Sequence, residues 1–295
     1  MATMASDSFK KSTNDRSKNY THPLMWMFGS VAPRSAERFA AWRFFRPARG
    51  RHPQAPAVPG WVARQFQVRT SGSLLTAWSW GSGPTVMLVH GWNGSAAQLN
   101  GFVGPLLRRG FRVVAYDQPA HGHSSGRFAS LPLFIESARA VAAICGPIEA
   151  VVGHSLGGTG AALALAEEPF ARRAVLLAAP AQIQYFAHAF TRMLGLPPQR
   201  APGLLTRIEQ RVRRSADSFD LFRLAAGMQI PLLVMHDAKD REVPFEHGLG
   251  VAAAWSGAQF ERLERLGHTR LLTDPAVIQR VLGFVSNAGM ALRSA

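Results

Sequence analysis

The sequence is poor in several features that define common classes of protein. It has one cysteine, Cys145, among 295 residues, which excludes an internal disulfide framework and favours a reducing compartment such as the cytoplasm. No apolar run approaches the roughly 20 residues that a membrane-spanning helix needs. No nucleic-acid-binding motif is visible. We therefore expect a cytoplasmic globular protein without a nucleic-acid partner, and nothing in the sequence indicates its oligomeric state.

Acidic residues are also scarce. The chain has 18 Asp and Glu against 33 Lys and Arg, which gives a formal net charge of +15. Residues 1–64 hold 11 of the basic residues but only 3 of the acidic ones, so the excess is largest near the N-terminus. We interpret it as a solvated basic surface. Attraction of anionic substrates and weak contact with an anionic membrane through an N-terminal arm are the two alternatives.

The predicted arm covers residues 1–60. Residues 1–20 are polar and have no hydrophobic period, so we expect disorder there. Residues 23–32 form a short apolar run that resembles the core of a signal peptide, but a glycine interrupts it and a proline follows the candidate cleavage position. Residues 34–46 can form a basic amphipathic helix. Packing on the core is the favoured role of this helix, and membrane contact is the alternative.

The chain does contain a Gly-x-Ser-x-Gly pattern, Gly153-His154-Ser155-Leu156-Gly157, between an apolar run and a helical pattern. A serine at such a strand-to-helix turn is strained and exposed, and small neighbours allow the backbone to turn sharply. The free N–H groups at the start of the following helix favour negative charge. The pattern predicts a nucleophilic serine beside a site for an oxyanion. A Gly-rich turn with an incidental serine is the alternative.

A serine nucleophile needs a base and a third group that orients the base. Asp240 lies in a polar loop after an apolar strand pattern, and His268 follows the next predicted strand. The ends of parallel strands converge on one edge of a sheet, so we expect Ser155, Asp240 and His268 to meet there as nucleophile, acid and base. Asp237, in the same loop, is the competing acid.

Hydrophobic periodicity predicts the elements around these residues. Residues 148–152 are predicted as the strand before Ser155, and residues 260–266 as the strand before His268. Residues 95–109 are predicted as a helix with Ser95 as its N-cap. The alternation of such strands and helices favours a mainly parallel sheet with right-handed crossovers.

Five motifs are together similar to those of the α/β-hydrolase superfamily, over residues 65–290. Residues 90–92 resemble the oxyanion loop of the superfamily, and residues 117–124 resemble its Asp-x-x-Gly-x-Gly-x-Ser loop. Residues 153–157 resemble its nucleophile elbow. Residues 240–244 resemble its Asp-x-x-Val-Pro acid loop, and residues 267–268 resemble its terminal histidine. The acid-loop spacing favours Asp240 over Asp237. The chain departs from the superfamily at residues 119–121, where the commoner pattern has a glycine.

The resemblance implies an α/β fold with a mostly parallel eight-stranded sheet flanked by helices. A small helical cap is expected after the sixth strand, over residues 181–228. The core is then expected over residues 61–180 and 229–295. The resemblance also implies that the backbone N–H groups of Trp92 and Leu156 form the oxyanion hole.

Five side chains are candidates for the substrate pocket: His154, Phe186, Phe190, Met193 and Phe222. Packing within the cap explains most of them equally well. His90, His121 and His123 are expected to orient loops rather than to bind a metal, and no cofactor is predicted.

The sequence therefore predicts a serine hydrolase that cleaves small-to-medium carboxylic esters through an acyl-enzyme. The serine argues against the dehalogenases and epoxide hydrolases of the superfamily, which are expected to use an aspartate there. It does not distinguish an esterase from a thioesterase, lactonase, carbon–carbon hydrolase or acyltransferase. A catalytically silent binding or membrane-surface protein that uses the basic arm is the alternative from another class.

Overall fold

The computed structural model describes residues 22–48 and 55–286. Within these ranges the chain forms one eight-stranded sheet with the order β1-β2-β4-β3-β5-β6-β7-β8. The strands are β1 (Arg64–Arg69), β2 (Leu74–Trp80), β3 (Thr85–Val89), β4 (Arg112–Tyr116), β5 (Ile148–His154), β6 (Ala174–Leu177), β7 (Leu232–Asp237) and β8 (Gln259–Leu263). β2 pairs antiparallel with β1 and β4, and every other neighbouring pair is parallel.

Helices connect the parallel strands, as a crossover between parallel neighbours requires. The α-helices of the described residues are α1 (Pro23–Val31), α2 (Pro33–Phe44), α3 (Asn100–Arg108), α4 (Leu131–Cys145), α5 (Leu156–Glu167), α6 (Ile183–Met193), α7 (Ala201–Val212), α8 (Leu221–Ala225), α9 (Phe245–Ala254), α10 (Gly267–Arg270) and α11 (Pro275–Ser286). Three short 3₁₀ helices add to them at Ala96–Leu99, Pro198–Arg200 and Ala216–Phe219. The helices α6, α7 and α8 lie between β6 and β7, where the sequence predicts an insertion.

The middle of the sheet is buried on both faces. Every residue of β3, β6 and β7 is buried. Strands covered on both faces are continuous apolar runs rather than alternating ones, which is why the apolar runs in the sequence predicted them. The predicted fold, a mostly parallel eight-stranded sheet flanked by helices, is confirmed.

Some elements near the predicted site have different bounds from the predicted ones. β5 continues beyond residue 152 to His154, so the strand reaches the residue before the turn. β8 ends at Leu263, and His268 lies in α10 rather than directly after a strand. Ser95 is the N-cap of the 3₁₀ helix, but its side chain makes no capping bond. The Ala96 N–H at that end donates to the Asp117 carboxylate instead, at 2.8 Å.

The chain divides into two compact units. The smaller unit contains the described residues of Met1–Phe44 together with Gln184–Arg211. The larger unit contains the described residues of Phe45–Ile183 and Val212–Ala295, and with them the whole sheet. The predicted basic helix therefore shares a unit with most of the predicted cap. The predicted disorder of residues 1–20 lies outside the described residues, and the role of the insertion as a cap stays a prediction.

The smaller unit is held together by ion pairs and aromatic contacts. Glu37 lies 3.3 Å from Arg200 Nη1 and 3.6 Å from Arg207 Nε. The rings of Phe44 and Phe190 meet edge to face, with centroids 5.2 Å apart. These contacts join α2 to α6, to the 3₁₀ helix Pro198–Arg200 and to α7.

Candidate active site

Ser155 stands at the turn between β5 and α5. Its backbone has φ 51° and ψ −133°, a conformation that residues other than glycine rarely adopt. The Ser155 N–H donates to the Leu177 carbonyl oxygen at 2.9 Å, which ties the turn to β6. A strained backbone of this kind persists only where its surroundings enforce it, and such surroundings are frequent at active sites.

Three glycines allow the backbone to pass close to Ser155. A Cβ at Gly153 would overlap the backbone of α5, and a Cβ at Gly157 would overlap the carbonyl oxygen of His90. A Cβ at Gly91 would lie 2.8 Å from the Cβ of Ser155. The Gly-x-Ser-x-Gly spacing therefore has a steric cause, since no side chain fits at either glycine.

We expect Gly157→Ala to destabilise the protein, although Gly157 lies in a helix, where alanine is normally favoured. The added methyl group would overlap the His90 carbonyl oxygen, and overpacking of this kind costs about 1 to 3 kcal/mol. Gly283 in α11 is the matched control, because a Cβ there meets nothing within 4 Å. Gly283→Ala is expected to raise the free energy of unfolding by about 0.5 to 1 kcal/mol. Urea unfolding measures both changes, and a stabilised Gly157→Ala variant would contradict the close approach.

The structure brings a hydroxyl, an imidazole and a carboxylate into one chain of hydrogen bonds. Ser155 Oγ lies 3.0 Å from His268 Nε2, and His268 Nδ1 lies 2.7 Å from Asp240 Oδ2. The carboxylate accepts the Nδ1–H of the ring, so the lone pair of Nε2 faces the hydroxyl. The Ser155 O–H therefore donates to His268 Nε2, which is the arrangement that a general base needs.

The loop after β7 offers two aspartates, of which the structure brings Asp240 to His268. Asp237 is fully buried and has a different set of partners. Its Oδ1 accepts the Lys239 N–H at 2.8 Å, and its Oδ2 accepts the Leu266 N–H at 2.7 Å. Asp237 thus joins the acid loop to the segment just before α10 through two backbone hydrogen bonds.

Asp240 is kept charged by its neighbours. Its Oδ1 accepts hydrogen bonds from the Glu242 and Val243 N–H groups, at 2.8 and 3.0 Å. Its Oδ2 also lies 3.5 Å from Nε2 of His236, a fully buried histidine that the sequence analysis did not identify. Burial acts to raise the pKa of Asp240, but hydrogen bonds from His236 and His268 outweigh burial and hold it well below its usual range.

His154, which the sequence suggests as a pocket residue, is buried against His268. The two ring centroids are 4.9 Å apart, and His154 Nε2 lies 2.8 Å from the backbone oxygen of His268. A carbonyl oxygen accepts, so His154 donates through Nε2–H. Burial, aided by the nearby His268, lowers the pKa of His154 to about 3, and the ring therefore stays neutral near pH 7. His154 supports the backbone of His268.

The predicted oxyanion loop is pinned by two buried histidines. His90 Nε2 accepts the Gln118 N–H at 2.9 Å, and its Nδ1 lies 2.7 Å from the Gly91 oxygen. His121 Nε2 accepts the Asn93 N–H at 3.0 Å. Burial lowers the pKa of His90 to about 4, against a hydrogen bond to Gly91 that acts to raise it. His90 thus remains a neutral ring that can accept, and the loop backbone is fixed on both sides.

The two residues predicted to supply oxyanion donors lie in fixed segments. Leu156 is the first residue of α5, where N–H groups have no acceptor within the helix. Trp92 follows Gly91, whose backbone closely approaches the candidate nucleophile. The Trp92 ring stacks on Phe134 with centroids 6.2 Å apart and meets His121 edge to face at 5.4 Å. Their role as an oxyanion hole stays a prediction.

Ala120 occupies the position where the superfamily loop has glycine. It has φ 63°, a conformation that glycine adopts without strain. Asp117 organises this loop, because its Oδ2 accepts the His123 N–H at 2.7 Å while its Oδ1 accepts a bond from the helix start. Within residues 22–48 and 55–286, no group of three or more His, Cys, Asp and Glu could hold a metal ion.

The remaining pocket candidates make packing contacts. In the smaller unit, Phe186 and Phe190 meet other aromatic rings edge to face, with centroids 5.6 and 5.2 Å apart. Met193, in the same unit, is 61% exposed. In the larger unit, the Phe222 ring lies 6.0 Å from the His247 ring. Their role in an acyl pocket stays a prediction.

Three buried histidines make stability depend on pH. Burial lowers the pKa values of His90, His154 and His247 from 6.5 to about 4, 3 and 4. An unfolded chain with ordinary pKa values therefore binds more protons than the folded chain as the pH falls below 6.5. We expect the free energy of unfolding to fall as the pH falls from 6.5 to about 4, by on the order of 3 kcal/mol for one such histidine.

His247→Asn tests this pH dependence. His247 Nδ1 accepts the Ala181 N–H at 2.9 Å, and an asparagine oxygen can accept the same bond without titrating. The loss of stability between pH 6.5 and about 4 should be smaller in this variant. Urea unfolding of the wild-type protein and the variant at graded pH gives both slopes, and an unchanged slope in His247→Asn would count against buried neutral histidines as the cause.

The sequence matches the alpha/beta hydrolase family over residues 86–280. It is 34% identical over 119 residues to a non-heme haloperoxidase of Rhodococcus erythropolis, an alignment that covers 39% of this chain and 43% of that protein. The chain therefore spans less than half of the haloperoxidase's length. It is also 28% identical over 236 residues to the pimeloyl-[acyl-carrier protein] methyl ester esterase of Methylococcus capsulatus, covering 65% of this chain and 91% of the esterase.

A solved structure of an esterase from Exiguobacterium antarcticum has a similar fold. The TM-score is 0.60, with 18% identity over 76% of this chain and 99% of the esterase. At this level of identity the likeness concerns the fold alone.

Proposed function

This chain belongs to the alpha/beta hydrolase family, and from that premise we propose that it is a serine hydrolase acting on carboxylic esters. The observation that carries the proposal is the chain of hydrogen bonds from Ser155 through His268 to Asp240, at 3.0 and 2.7 Å. A nucleophile, a base and an orienting acid in this geometry are the recurring apparatus of acyl transfer.

The first half-reaction forms an acyl-enzyme. Ser155 Oγ attacks the ester carbonyl carbon while its proton moves to His268 Nε2. The charged Asp240 carboxylate stabilises the resulting imidazolium. The carbonyl oxygen becomes an oxyanion, which accepts hydrogen bonds from the Trp92 and Leu156 N–H groups. The loss of one such donor typically raises the barrier by about 3 to 4 kcal/mol.

The acyl-enzyme is complete when the carbon–oxygen bond to the leaving alcohol breaks and His268 Nε2–H gives its proton to the departing oxygen. The second half-reaction releases the acid. Water then attacks the acyl carbon while His268 takes a proton from it. The bond to Ser155 Oγ breaks, His268 returns the proton to Oγ, and the carboxylic acid leaves. Every proton in the cycle passes through His268 Nε2. The hydrogen bond from His154 to the His268 backbone therefore supports both half-reactions.

Small-to-medium acyl groups are the proposed substrates. The proposed cap is short and rich in arginine, which does not suit a long alkyl chain. The methyl ester esterase of M. capsulatus, similar over 65% of this chain, offers support for an ester rather than an amide substrate. A thioesterase, lactonase, carbon–carbon hydrolase or acyltransferase would use the same three residues, so the choice among them requires substrates.

A panel of nitrophenyl esters with acyl chains of graded length tests the substrate class. We expect kcat/KM to be highest for short or medium chains, and a clear optimum at long chains would contradict the proposal. Matched thioesters and lactones belong in the same panel. A kcat/KM for a thioester or a lactone well above that for the matched ester would reassign the activity while keeping the residues in their roles.

A further inference from the structure

The outer face of α1 is apolar and exposed. Leu24, Trp26, Met27 and Val31 are 68%, 50%, 56% and 80% exposed. Three of them, at positions 24, 27 and 31, have the spacing that puts side chains on one face of a helix. The helix has no charged residue, and its buried position is Gly29, on the other side. A large apolar surface is therefore turned towards solvent.

This face belongs to a helix that is held in place within the smaller unit. A Cβ at Gly29 would press against the side chains of Leu196 and Pro197, so α1 lies directly on that segment. The Phe28 ring meets the Phe39 ring of α2 edge to face, with centroids 6.5 Å apart. Exposed apolar surface costs roughly 25 cal/mol per Å² in water, and a contiguous patch of it usually marks a surface that another phase or partner covers.

The exposed side of α2, which the contact of Phe39 with Phe28 joins to α1, carries aromatic and basic side chains. Phe39 and Trp42 are 39% and 48% exposed, and their rings stack with centroids 5.9 Å apart. Arg34 and Arg38 are exposed and lie one helical turn apart, and Arg38 precedes Trp42 by the same step. Glu37, the acid of this helix, is paired with two arginines of the same unit. The exposed side is therefore apolar and positive.

We propose that this surface binds an anionic lipid bilayer. We define the lipid-binding face by Leu24, Trp26, Met27, Val31, Arg34 and Arg38. Charge complementarity selects the occupant, because the described part of the smaller unit has seven arginines and two glutamates. Tryptophan suits the boundary between acyl chains and headgroups, while arginines reach the phosphates above it.

The proposed mode is attachment to one side of the bilayer. In the part of the chain that the structure describes, no helix is both long and apolar enough to cross a membrane. An amphipathic pair such as α1 and α2 lies in the headgroup region instead. A second copy of this chain is the competing occupant. It would bring Arg34 and Arg38 of one copy close to the same arginines of the other, and this repulsion opposes the pairing.

Vesicle co-sedimentation of the full-length protein tests the proposal. We expect binding to vesicles that contain phosphatidylglycerol and much weaker binding to phosphatidylcholine alone. The double variant Trp26→Ser/Met27→Ser keeps every charge and should weaken the partition coefficient about tenfold or more. Its control is Trp61→Ser/Ile144→Ser, which removes a tryptophan and an aliphatic side chain, 39% and 59% exposed, from the larger unit. The control should bind as wild type does.

A charge variant separates the two contributions. Arg34→Gln/Arg38→Gln should weaken binding to phosphatidylglycerol vesicles about tenfold and leave the weak binding to phosphatidylcholine unchanged. Far-ultraviolet circular dichroism of each variant checks that the fold is kept. Since no variant alters Ser155, Asp240 or His268, failure of lipid binding leaves the proposed esterase activity untouched.

Three results would overturn the proposal. The first is no sedimentation of the wild-type protein with anionic vesicles. The second is an equal loss of binding in the Trp26/Met27 variant and the Trp61/Ile144 control. The third is a wild-type protein that does not bind vesicles but forms a dimer in light scattering, where Trp26→Ser/Met27→Ser abolishes the dimer. That result would assign the face to a second copy of the chain.

Discussion

Ser155→Ala is expected to lower kcat for the best nitrophenyl ester by a factor on the order of 10⁶. The substitution removes the oxygen that forms the acyl bond, so no acyl-enzyme can accumulate. We expect the remaining activity to come from binding and from the proposed oxyanion donors, the N–H groups of Trp92 and Leu156. Alanine occupies the same strained backbone as serine, so the fold should be unchanged. Steady-state kinetics and labelling by a fluorophosphonate probe measure the loss.

Ser137→Ala is the matched control for this loss. Ser137 is fully buried, and its Oγ donates to the Leu133 carbonyl oxygen at 2.7 Å rather than to any of the three site residues. This variant should be labelled by the probe as the wild type is. Failure to label the wild-type protein, or equal labelling of Ser155→Ala, would favour the alternative of a silent binding protein.

The sheet and the turn at Ser155 were predictable because each has a sequence pattern that spans only a few residues. A strand buried on both faces is a continuous apolar run, and β3, β6 and β7 are such runs. The Gly-x-Ser-x-Gly pattern is also visible within five residues. At Gly153 its cause is local, because a Cβ there would overlap the start of α5, whereas at Gly157 a Cβ would overlap the distant His90.

The contacts that support the candidate site were less predictable, because they join distant positions. His154 and His268 meet across 114 residues, and no periodicity reports that separation. His236 lies near Asp240 in the chain, but a histidine at the end of a buried apolar run resembles any other buried histidine. Which of Asp237 and Asp240 reaches His268 depends on how the loop bends. The sequence favoured Asp240 only through its spacing to the following Val-Pro pair.

The grouping of the N-terminal helices was the least predictable feature. Residues 34–46 were predicted to pack on the core, which stays a prediction, and α2 forms a compact unit with part of the predicted cap. The pairing of Glu37 with Arg200 and Arg207 joins segments far apart in the chain. Such pairings have no sequence signal in a chain with so many arginines. The apolar run at residues 23–32, compared with a signal peptide from its composition, is largely the helix α1.

Asp240→Asn is expected to lower kcat by about 10⁴-fold while the protein stays folded. The carboxylate of Asp240 accepts the Nδ1–H of His268 at 2.7 Å, which leaves Nε2 free to take the serine proton. An asparagine can turn its NH₂ group towards the ring, and His268 then carries its proton on Nε2. In that tautomer the nitrogen facing Ser155 donates rather than accepts, and it cannot act as the base. Kinetics with the best ester measure the loss.

Variants of two other acids, Glu242 and Asp237, test whether Asp240 acts by orienting the His268 ring or only by its negative charge. Glu242 Oε2 lies 3.9 Å from His268 Nε2, and its side chain is 66% exposed, so solvent screens it and Glu242→Gln should change kcat only slightly. Asp237→Asn loses one of two backbone hydrogen bonds and should lower the free energy of unfolding by about 1 to 3 kcal/mol. Its kcat should fall far less than that of Asp240→Asn, because Asp237 acts on the loop and not on the ring. If the two aspartate variants instead exchanged these effects, the orienting acid would be Asp237, and the distance of 2.7 Å from Asp240 to His268 would not describe the working enzyme.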